Sequence, residues 1–555
     1  MRHRAWRAGL LLAVALLSWG SAIYVLRLHL LIGPARQPIN IRWASGTDDA
    51  ARQTAETALN LGNGEERAPG TWSYHLQDHS QDTVRQIVTH PLVADTFHIN
   101  RQAFRIVIDA PDRPLWLRRL LQLDLGPAYA LTALAIGLVA VGLARRELAI
   151  GVTVIRGLAG VEPSIALALL CLGFVLVRFY DIGQGVDENM HFDQIARLAR
   201  GDWTLNSGLT MVPGFHALVA ALVWAGGGAT ESSVRFVVFL ISVSTVGAFH
   251  ALARMLQPEE AGTRTLQFTI LPILFPQFFL IYTDVTSLLI VLLMFGATVR
   301  SRYWLAGALG LLSCLVRQDN VIWVTFAVCW SYLRDQGWTW PPLSQLLTRY
   351  WTFFGTSVAF LLFVVANGGQ VALGYDAASH PLGAVHFTNI FFLLFLSCFL
   401  FLPLWWGYRR DVLALLRNWR TWLALPVLFV VFWVGFVNDH PHNNERGDYF
   451  LSNAILMLFS STAGLKLLFF VPVAVAALCM AAVPMNMPWR LLFPFTTIFL
   501  LPEWLVVPRY YLIPLSLFLL ARTPVTIWSE RAQTILFLAG STGVILMIEW
   551  KWGWL

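Results

Sequence analysis

Along most of the chain, apolar stretches of roughly 16–22 residues recur with short polar breaks, the length a helix needs to cross about 30 Å of hydrocarbon. Such helices satisfy their own backbone hydrogen bonds, so the pattern predicts an all-α polytopic membrane protein of about fifteen spans. The first apolar run, Ala8 to about Ile32, follows the basic start Met1-Arg2-His3-Arg4 and lacks a clear small-residue cleavage site. It reads as an uncleaved anchor over residues 1–33, with its N-terminus inside. Between Pro34 and Leu120 the chain turns polar for too long to be a loop without structure of its own. A small extracytoplasmic α/β domain is expected there. Its strands are predicted at Ile39–Trp43, Thr71–Leu76 and Phe104–Ile108, and its helices at Asp48–Leu61 and Thr83–Thr96.

The second span, about Leu125 to Leu143, ends at Arg145-Arg146, and the third begins after Arg156, so residues 121–160 hold a span and a cytoplasmic connection. The remaining membrane module is expected over 161–555. Carrying the parity forward puts Arg254 and Arg264, Arg300 and Arg302, Arg334 and Arg349, Arg409-Arg410, Arg490, and Arg522 with Arg531 inside. That works only if Met211–Gly228 does not cross. With Pro213, Gly214, His216 and three terminal glycines, it reads as a re-entrant or surface-lying helix of an outer loop, and Met457 to about Ser461 reads as a second surface segment.

Composition agrees with the bilayer as main solvent: 57% of residues are hydrophobic and 13% charged, with a mean hydropathy of +0.61. The net charge of +7 is spread in short Lys/Arg clusters between spans, which argues orientation and no nucleic acid. The five cysteines lie singly in apolar runs and read as packing residues.

The same parity collects the unusual polar clusters on the outer face, where an ionisable group facing lipid would cost about 2.5–3.5 kcal/mol. Asp187-Glu188 with His191 and Asp193 offers adjacent carboxylates, suited to a general base and its positioning partner, to a cation site, or to a hydrated loop. Asp284, in Tyr282-Thr283-Asp284, reads most simply as the cap of the helix that follows. Arg317 in Arg317-Gln318-Asp319-Asn320 and Arg509 in Pro508-Arg509-Tyr510 break the positive-inside pattern. They call for an anionic partner, either Asp319 and Glu503 nearby or a lipid phosphate gripped by the planar donor fork. Asp376, His380 and His386, and then His440 and His442, sit in two further outer loops, as donors to sugar hydroxyls or phosphate or as solvated histidines. No third ligand is fixed by spacing, and no metal is expected.

Taken in order, these segments resemble the dolichyl-phosphate-glucose α-1,2-glucosyltransferase family, which adds the last glucose to the lipid-linked oligosaccharide. Asp187-Glu188, His191 and Gln194, then Asp202 and Pro213-Gly214, resemble its Asp-Glu-x-x-His loop and following Thr-x-Pro-Gly element. Phe275-Pro276 through Tyr282-Thr283-Asp284 and Ser287 resemble its Phe-Pro, Tyr-Thr-Asp-x-x-Ser segment, and Arg317-Gln318-Asp319-Asn320 its Arg-Gln-Thr-Asn, with Asp319 in place of threonine. Gly374, Asp376, His380 and His386 resemble a Gly-Asp-x-x-x-His-x-x-x-x-His loop with Tyr375 and one further residue extra, and His440-Pro441 with Arg446 and Tyr449 is the loosest match. Glu503 with Pro508-Arg509-Tyr510 and Pro514 is similar to the family's Glu-x-Arg-Tyr ending, with four added residues. The order holds from about Tyr180 to Pro514, and the first roughly 150 residues are not covered.

The resemblance implies a GT-C membrane glycosyltransferase architecture and a polyprenyl-phosphate sugar as donor, with a glycan or lipid-linked glycan as acceptor. It implies inverting transfer of a hexose, glucose first of all, with Asp187 as base and Glu188 beside it. Arg317, Arg509 and Tyr510 would hold the donor phosphate. His191, Asp284, Gln318, Asn320, Asp376, His380, His386, His440 and Glu503 would shape the sugar and acceptor subsites. No cofactor is required, because the arginines supply positive charge. The N-terminal domain ahead of the transferase core points to a prokaryotic envelope, the inner membrane with the site facing out. The reading from another class is a transporter or flippase of a lipid-linked or anionic substrate, since intramembrane charges also mark ion pathways. It calls for polar residues at both faces, whereas the inner ends carry what read as ordinary Arg anchors.

Overall fold

The computed structural model describes residues 38–44, 46–62, 64–68, 70–75, 86–87, 90–100, 105–109, 161–179, 186–206, 208–225, 228–229, 231–339, 342–374, 385–444 and 453–549, with positions 14, 18, 136 and 137. The anchor expected over 1–33 and the span over 125–143 lie outside these residues apart from single positions. So do Asp376, His380, Arg446 and Tyr449. The chain forms two compact units, 1–182 and 183–555.

In the first unit, strands β1 (Pro38–Trp43), β2 (Glu65–Ala68), β3 (Thr71–His75), β4 (Val93–Asn100) and β5 (Arg105–Asp109) form an antiparallel sheet in the order β2-β3-β1-β4-β5. Helix α1 (Asp49–Ala58) starts where Asp48 accepts the Ala51 N–H at 2.7 Å, an N-cap that satisfies one orphan donor of the first turn. Alternation puts Ile41 and Trp43 of β1 on one face, where they pack with Tyr74 of β3 and with Ala55 and Leu59 of the helix and its C-cap. The helix predicted over Thr83–Thr96 is overturned at its C-terminal end: from Val93 the chain is β4, paired on both sides by β1 and β5. Strand β2, Glu65-Glu66-Arg67-Ala68, carries no β-branched residue and forms by pairing with β3. Both differences have one cause, since cross-strand partners decide β structure more than local preference does. Helix α2 (Val161–Phe179) falls in this unit, which runs to Ile182. Hydropathy marks where a span begins, not the unit it joins.

The second unit is helical. It contains α3 (Val186–Ala199), α4 (Gly214–Ala225), α5 (Glu231–Leu256), α6 (Ala261–Thr269), α7 (Thr283–Val299), α8 (Tyr303–Val316), α9 (Val321–Gln336) and α10 (Leu343–Ala366). After these come α11 (Thr388–Leu400), α12 (Arg409–Leu416), α13 (Trp419–Gly435), α14 (Ala463–Ala482), α15 (Leu492–Leu500), α16 (Leu512–Ala521) and α17 (Ile527–Glu549), with short turns between. Among the described residues, α10, α14 and Ser233–Leu256 of α5 are long and apolar enough to cross a membrane alone. A fourth crossing follows if α12 and α13, bent by 93°, count together. The other hydrophobic windows become shorter or broken helices, which at membrane depth is tolerated where protein buries the freed backbone groups. Helix α4, twelve residues and so about 18 Å long, is too short to span, as parity required of Met211–Gly228. The second surface segment is the seven-residue helix Ala454–Ser460.

Helix α7 sits centrally, packed between α5 and α8, and α10 lies along α8. Gly307 permits that last contact, because a Cβ there would stand 2.2 Å from Thr352 Oγ1 and 2.7 Å from the Phe353 nitrogen. Gly214 seats the start of α4 against the Leu315 carbonyl at the end of α8 in the same way.

The far end of α16 holds a buried network that the sequence reading treated as plain Arg anchors. Arg522 grips Glu530 with two N–H groups at 2.6 and 2.7 Å and Gln267 at 2.8 Å. Arg264 donates to the carbonyls of Leu519 and Arg522. Both arginines are almost fully buried. Glu530, four residues into α17, is what makes burial of Arg522 tolerable, and nothing in the spacing announced that pairing.

Candidate active site

Four places where a helix begins or breaks converge at the near end of α7 and α16. Asp187 and Glu188 lie in the first turn of α3, where the helix dipole favours carboxylates. Asp284 lies in the first turn of α7. Arg317 ends α8 in an extended conformation (φ −145°, ψ 121°), which turns its side chain out of the helix. Arg509 is in the 3-10 turn Pro508–Tyr511, opened by a proline whose missing N–H is no loss there.

These elements bring the charges into two ion pairs. Arg509 Nη1 is 3.2 Å from Asp187 Oδ2, and Arg317 Nη1 is 2.9 Å from Asp284 Oδ1. Arg317 also holds Asp319, at 2.8 Å through Nη2. Asp284 therefore does not cap α7, as the sequence suggested: Tyr282 is the N-cap residue, without a side-chain bond, and the carboxylate is spent on Arg317. Among the described residues, the buried Nε of Arg509 has no hydrogen-bond acceptor. Its guanidinium lies over the Tyr282 ring at 5.2 Å, and that of Arg317 over Tyr510 at 5.7 Å. Asp284, Ser287, Arg317, Arg509 and Tyr510 line a small cleft together.

Glu188 does not meet Arg509 as Asp187 does. It is 2% exposed, meets Arg235 Nη1 at 3.1 Å and accepts the Ile281 N–H at 2.6 Å. It thereby ties α3 to α5 and to the segment that leads into Tyr282 and Asp284, which is a positioning place. Gln318 donates to the carbonyls of Thr210 and Val371, and Asn320 exchanges hydrogen bonds with Ser287 and donates to the Ser313 carbonyl. These amides, read as sugar or acceptor contacts, are spent on the protein.

His191 Nδ1 lies 2.9 Å from His216 Nε2, both buried, so one ring donates and the other accepts. Burial, then Arg509 and Arg317, push His191 down to about 3, so it is neutral at ordinary pH. His216 was legible only as a histidine inside an apolar run, the kind of residue that is rarely idle at membrane depth. Glu503 is partly buried, and burial, followed by the Asp319 charge, pushes its carboxyl up to about 7 against the pull of Arg317, Tyr510 and Arg509. His386 and His440 lie on the other side of the Glu503 segment, around Trp504. The side-chain amides of Asn389 and Asn443, Arg235 and Trp504 escaped the sequence reading, because nothing in their spacing sets them apart.

This convergence of carboxylates and arginines is the setting for comparison with known proteins. Residues 183–339 match the DIE2/ALG10 family. The matched DIE2/ALG10 region holds Asp187, Glu188, His191, Asp284, Arg317, Gln318 and Asn320, so the resemblance read from the motifs is borne out. A Kluyveromyces lactis protein named Dol-P-Glc:Glc(2)Man(9)GlcNAc(2)-PP-Dol alpha-1,2-glucosyltransferase is 26% identical over 262 residues, 42% of this chain and 48% of that one. Proteins of the same name from Rattus norvegicus and Homo sapiens are 23% identical over 273 residues (39% and 57% of the two chains) and 22% identical over 390 residues (59% and 82%). The chain thus spans about half the length of the first two relatives. No solved structure matches.

Proposed function

We propose that this chain is a membrane glycosyltransferase that moves glucose from a polyprenyl-phosphate sugar to a glycan or lipid-linked glycan acceptor on the extracytoplasmic face, with inversion. The observation that carries the reading is the Asp187–Arg509 pair with the orphaned Nε of Arg509 beside it. A base and a phosphate-binding cation neutralise each other until the donor arrives. A buried N–H without an acceptor favours an anionic ligand, because an unmade hydrogen bond there costs about 1–3 kcal/mol.

Donor phosphate taking a place on Arg509 releases Asp187, which removes the proton from the acceptor hydroxyl, a role typically worth about 10²–10⁴-fold in rate. The acceptor oxygen then bonds to the anomeric carbon, the bond from that carbon to the phosphate oxygen breaks, and polyprenyl phosphate leaves with the electron pair. Arg509 stabilises the charge growing on the phosphate, worth about 3–4 kcal/mol for one such donor. Arg317 is more fully neutralised, by Asp284 and Asp319, and its place is to orient the phosphate. The scheme uses no metal or cofactor. The family name shared by the relatives supports donor and sugar. The N-terminal domain argues for a prokaryotic envelope, with the site facing the periplasm or exterior.

A transporter needs a polar path between the faces. The Arg522–Glu530–Gln267 network lies about 15 Å along α16 from the site, and its charges are paired with each other, which disfavours that reading. The test is donor consumption by the purified full-length protein in lipid nanodiscs, with radiolabelled polyprenyl-phosphate glucose and glucose-terminated oligosaccharides. Turnover is expected, and its loss in Arg509→Ala. An inactive wild type across these donors, or an Arg509→Ala protein as active as wild type, refutes the proposal. A reporter fused after Gly228 checks the face, and a cytoplasmic signal there refutes the parity argument.

A further inference from the structure

Glu503 and Trp504 face different groups from one irregular segment that precedes the 3-10 turn Pro508–Tyr511. Its backbone is clamped by two buried asparagines: Asn389 Nδ2 donates to the carbonyls of Glu503 (2.7 Å) and Leu505 (3.0 Å). Asn443 both donates to the Val506 carbonyl (3.1 Å) and accepts the Val506 N–H (2.9 Å), as a neighbouring strand would. Tyr511 fixes Asn389 in turn, at 2.9 Å. Glu503 faces Tyr510 and the phosphate-side arginines. Trp504 faces a separate group: its indole N–H donates to Asp439 at 2.7 Å, His386 stacks on it with centroids 5.8 Å apart, and His440 meets it edge-on at 4.7 Å. The indole is partly exposed and Asp439 exposed, and His386 Nε2 is a buried ring nitrogen without a partner among the described residues.

We propose that Trp504, framed by His386, His440 and Asp439, is the platform that binds a pyranose ring of the acceptor glycan, apart from the phosphate side of the same segment. The C–H face of a pyranose packs on a large aromatic surface, while its hydroxyls need donors and acceptors at the rim. Imidazole supplies either and a carboxylate accepts. A tryptophan that only anchors at a membrane interface keeps its N–H for headgroups and water; here it is spent on Asp439.

The inference rests on the transferase reading, and the test separates the two. Full-length protein in nanodiscs is titrated with maltotriose and with methyl α-glucoside, following saturation transfer to the sugar ring protons, and separately with polyprenyl-phosphate glucose. Wild type is expected to saturate the ring protons. Trp504→Ala should weaken maltotriose about tenfold, with Trp504→Phe intermediate and donor binding unchanged in both. Asp439→Asn, at an exposed position that cannot unfold the protein, should weaken maltotriose by a smaller factor. No saturation from either sugar in wild type overturns the platform, as does unchanged maltotriose binding in both Trp504→Ala and Asp439→Asn, or an equal loss of donor and glycan. Trp504-dependent glycan binding in a protein that consumes no donor sustains the platform and refutes the transferase reading. Donor turnover without such binding does the reverse.

Discussion

Replacing Asp187 by asparagine separates two roles that the ion pair couples. In the resting protein Asp187 and Arg509 are 3.2 Å apart with side chains 21% and 19% exposed. At an effective dielectric near 20 the bare attraction is about 5 kcal/mol, but desolvation and partial exposure leave a net value nearer that of a charge-assisted hydrogen bond, about 1.5–3 kcal/mol. The donor phosphate must displace that carboxylate to reach Arg509. Asp187→Asn keeps the shape and removes the competing charge, so donor affinity should rise, by about tenfold at the lower end of that range. Transfer should fall by about 10²–10⁴-fold, because no base receives the acceptor proton. Equilibrium binding of radiolabelled polyprenyl-phosphate glucose and single-turnover transfer, on the same nanodisc preparation, measure the two effects. Weaker donor binding would refute the competition argument, and retained turnover would refute Asp187 as the base.

Glu188→Gln takes away the carboxylate that buried Arg235 meets at 3.1 Å and should destabilise the protein by about 3–5 kcal/mol, read as a large drop in thermal unfolding temperature; an unchanged midpoint would remove its positioning role. Glu503, raised to about 7, is neutral below that pH and anionic above it. The donor KM should therefore climb as pH passes 7, when a new negative charge joins the phosphate's arginines, and Glu503→Gln should flatten the profile. The same shift means the folded state keeps a proton that the unfolded chain has lost, so its stability contribution falls from the ordinary carboxylate range up to about 7. Arg522→Ala strands Glu530 in a buried setting and should lower the unfolding temperature while leaving the donor KM of the surviving protein unaltered.

Hydropathy, charge parity and motif order carried far, because each is a property of local sequence. Span-length apolar runs and a non-spanning Met211–Gly228 follow from the bilayer's demand on backbone and charge, and the same demand leads to the expectation that Asp187, Arg317 and Arg509 lie on the outer face. The helix start at Asp48 and the strand at Ile39–Trp43 follow from capping and alternation. Partner choice does not follow. Arg317 met Asp319 two residues away, as spacing allowed, but also Asp284, 33 positions back, and Arg509 passed over nearby Glu503 for Asp187, 322 positions away. Glu188 and Asp187 are neighbours in sequence, yet one is sealed against Arg235 and the other faces Arg509, because adjacent residues on a helix point about 100° apart. The sequence by itself determined which polar residue types interrupt the apolar runs and in what order they come. Only the tertiary structure decided which of them pair, which are spent holding the segments together, and that Glu503 and Trp504 divide the site, since ion pairs and side-chain clamps form between elements whose proximity no local pattern encodes.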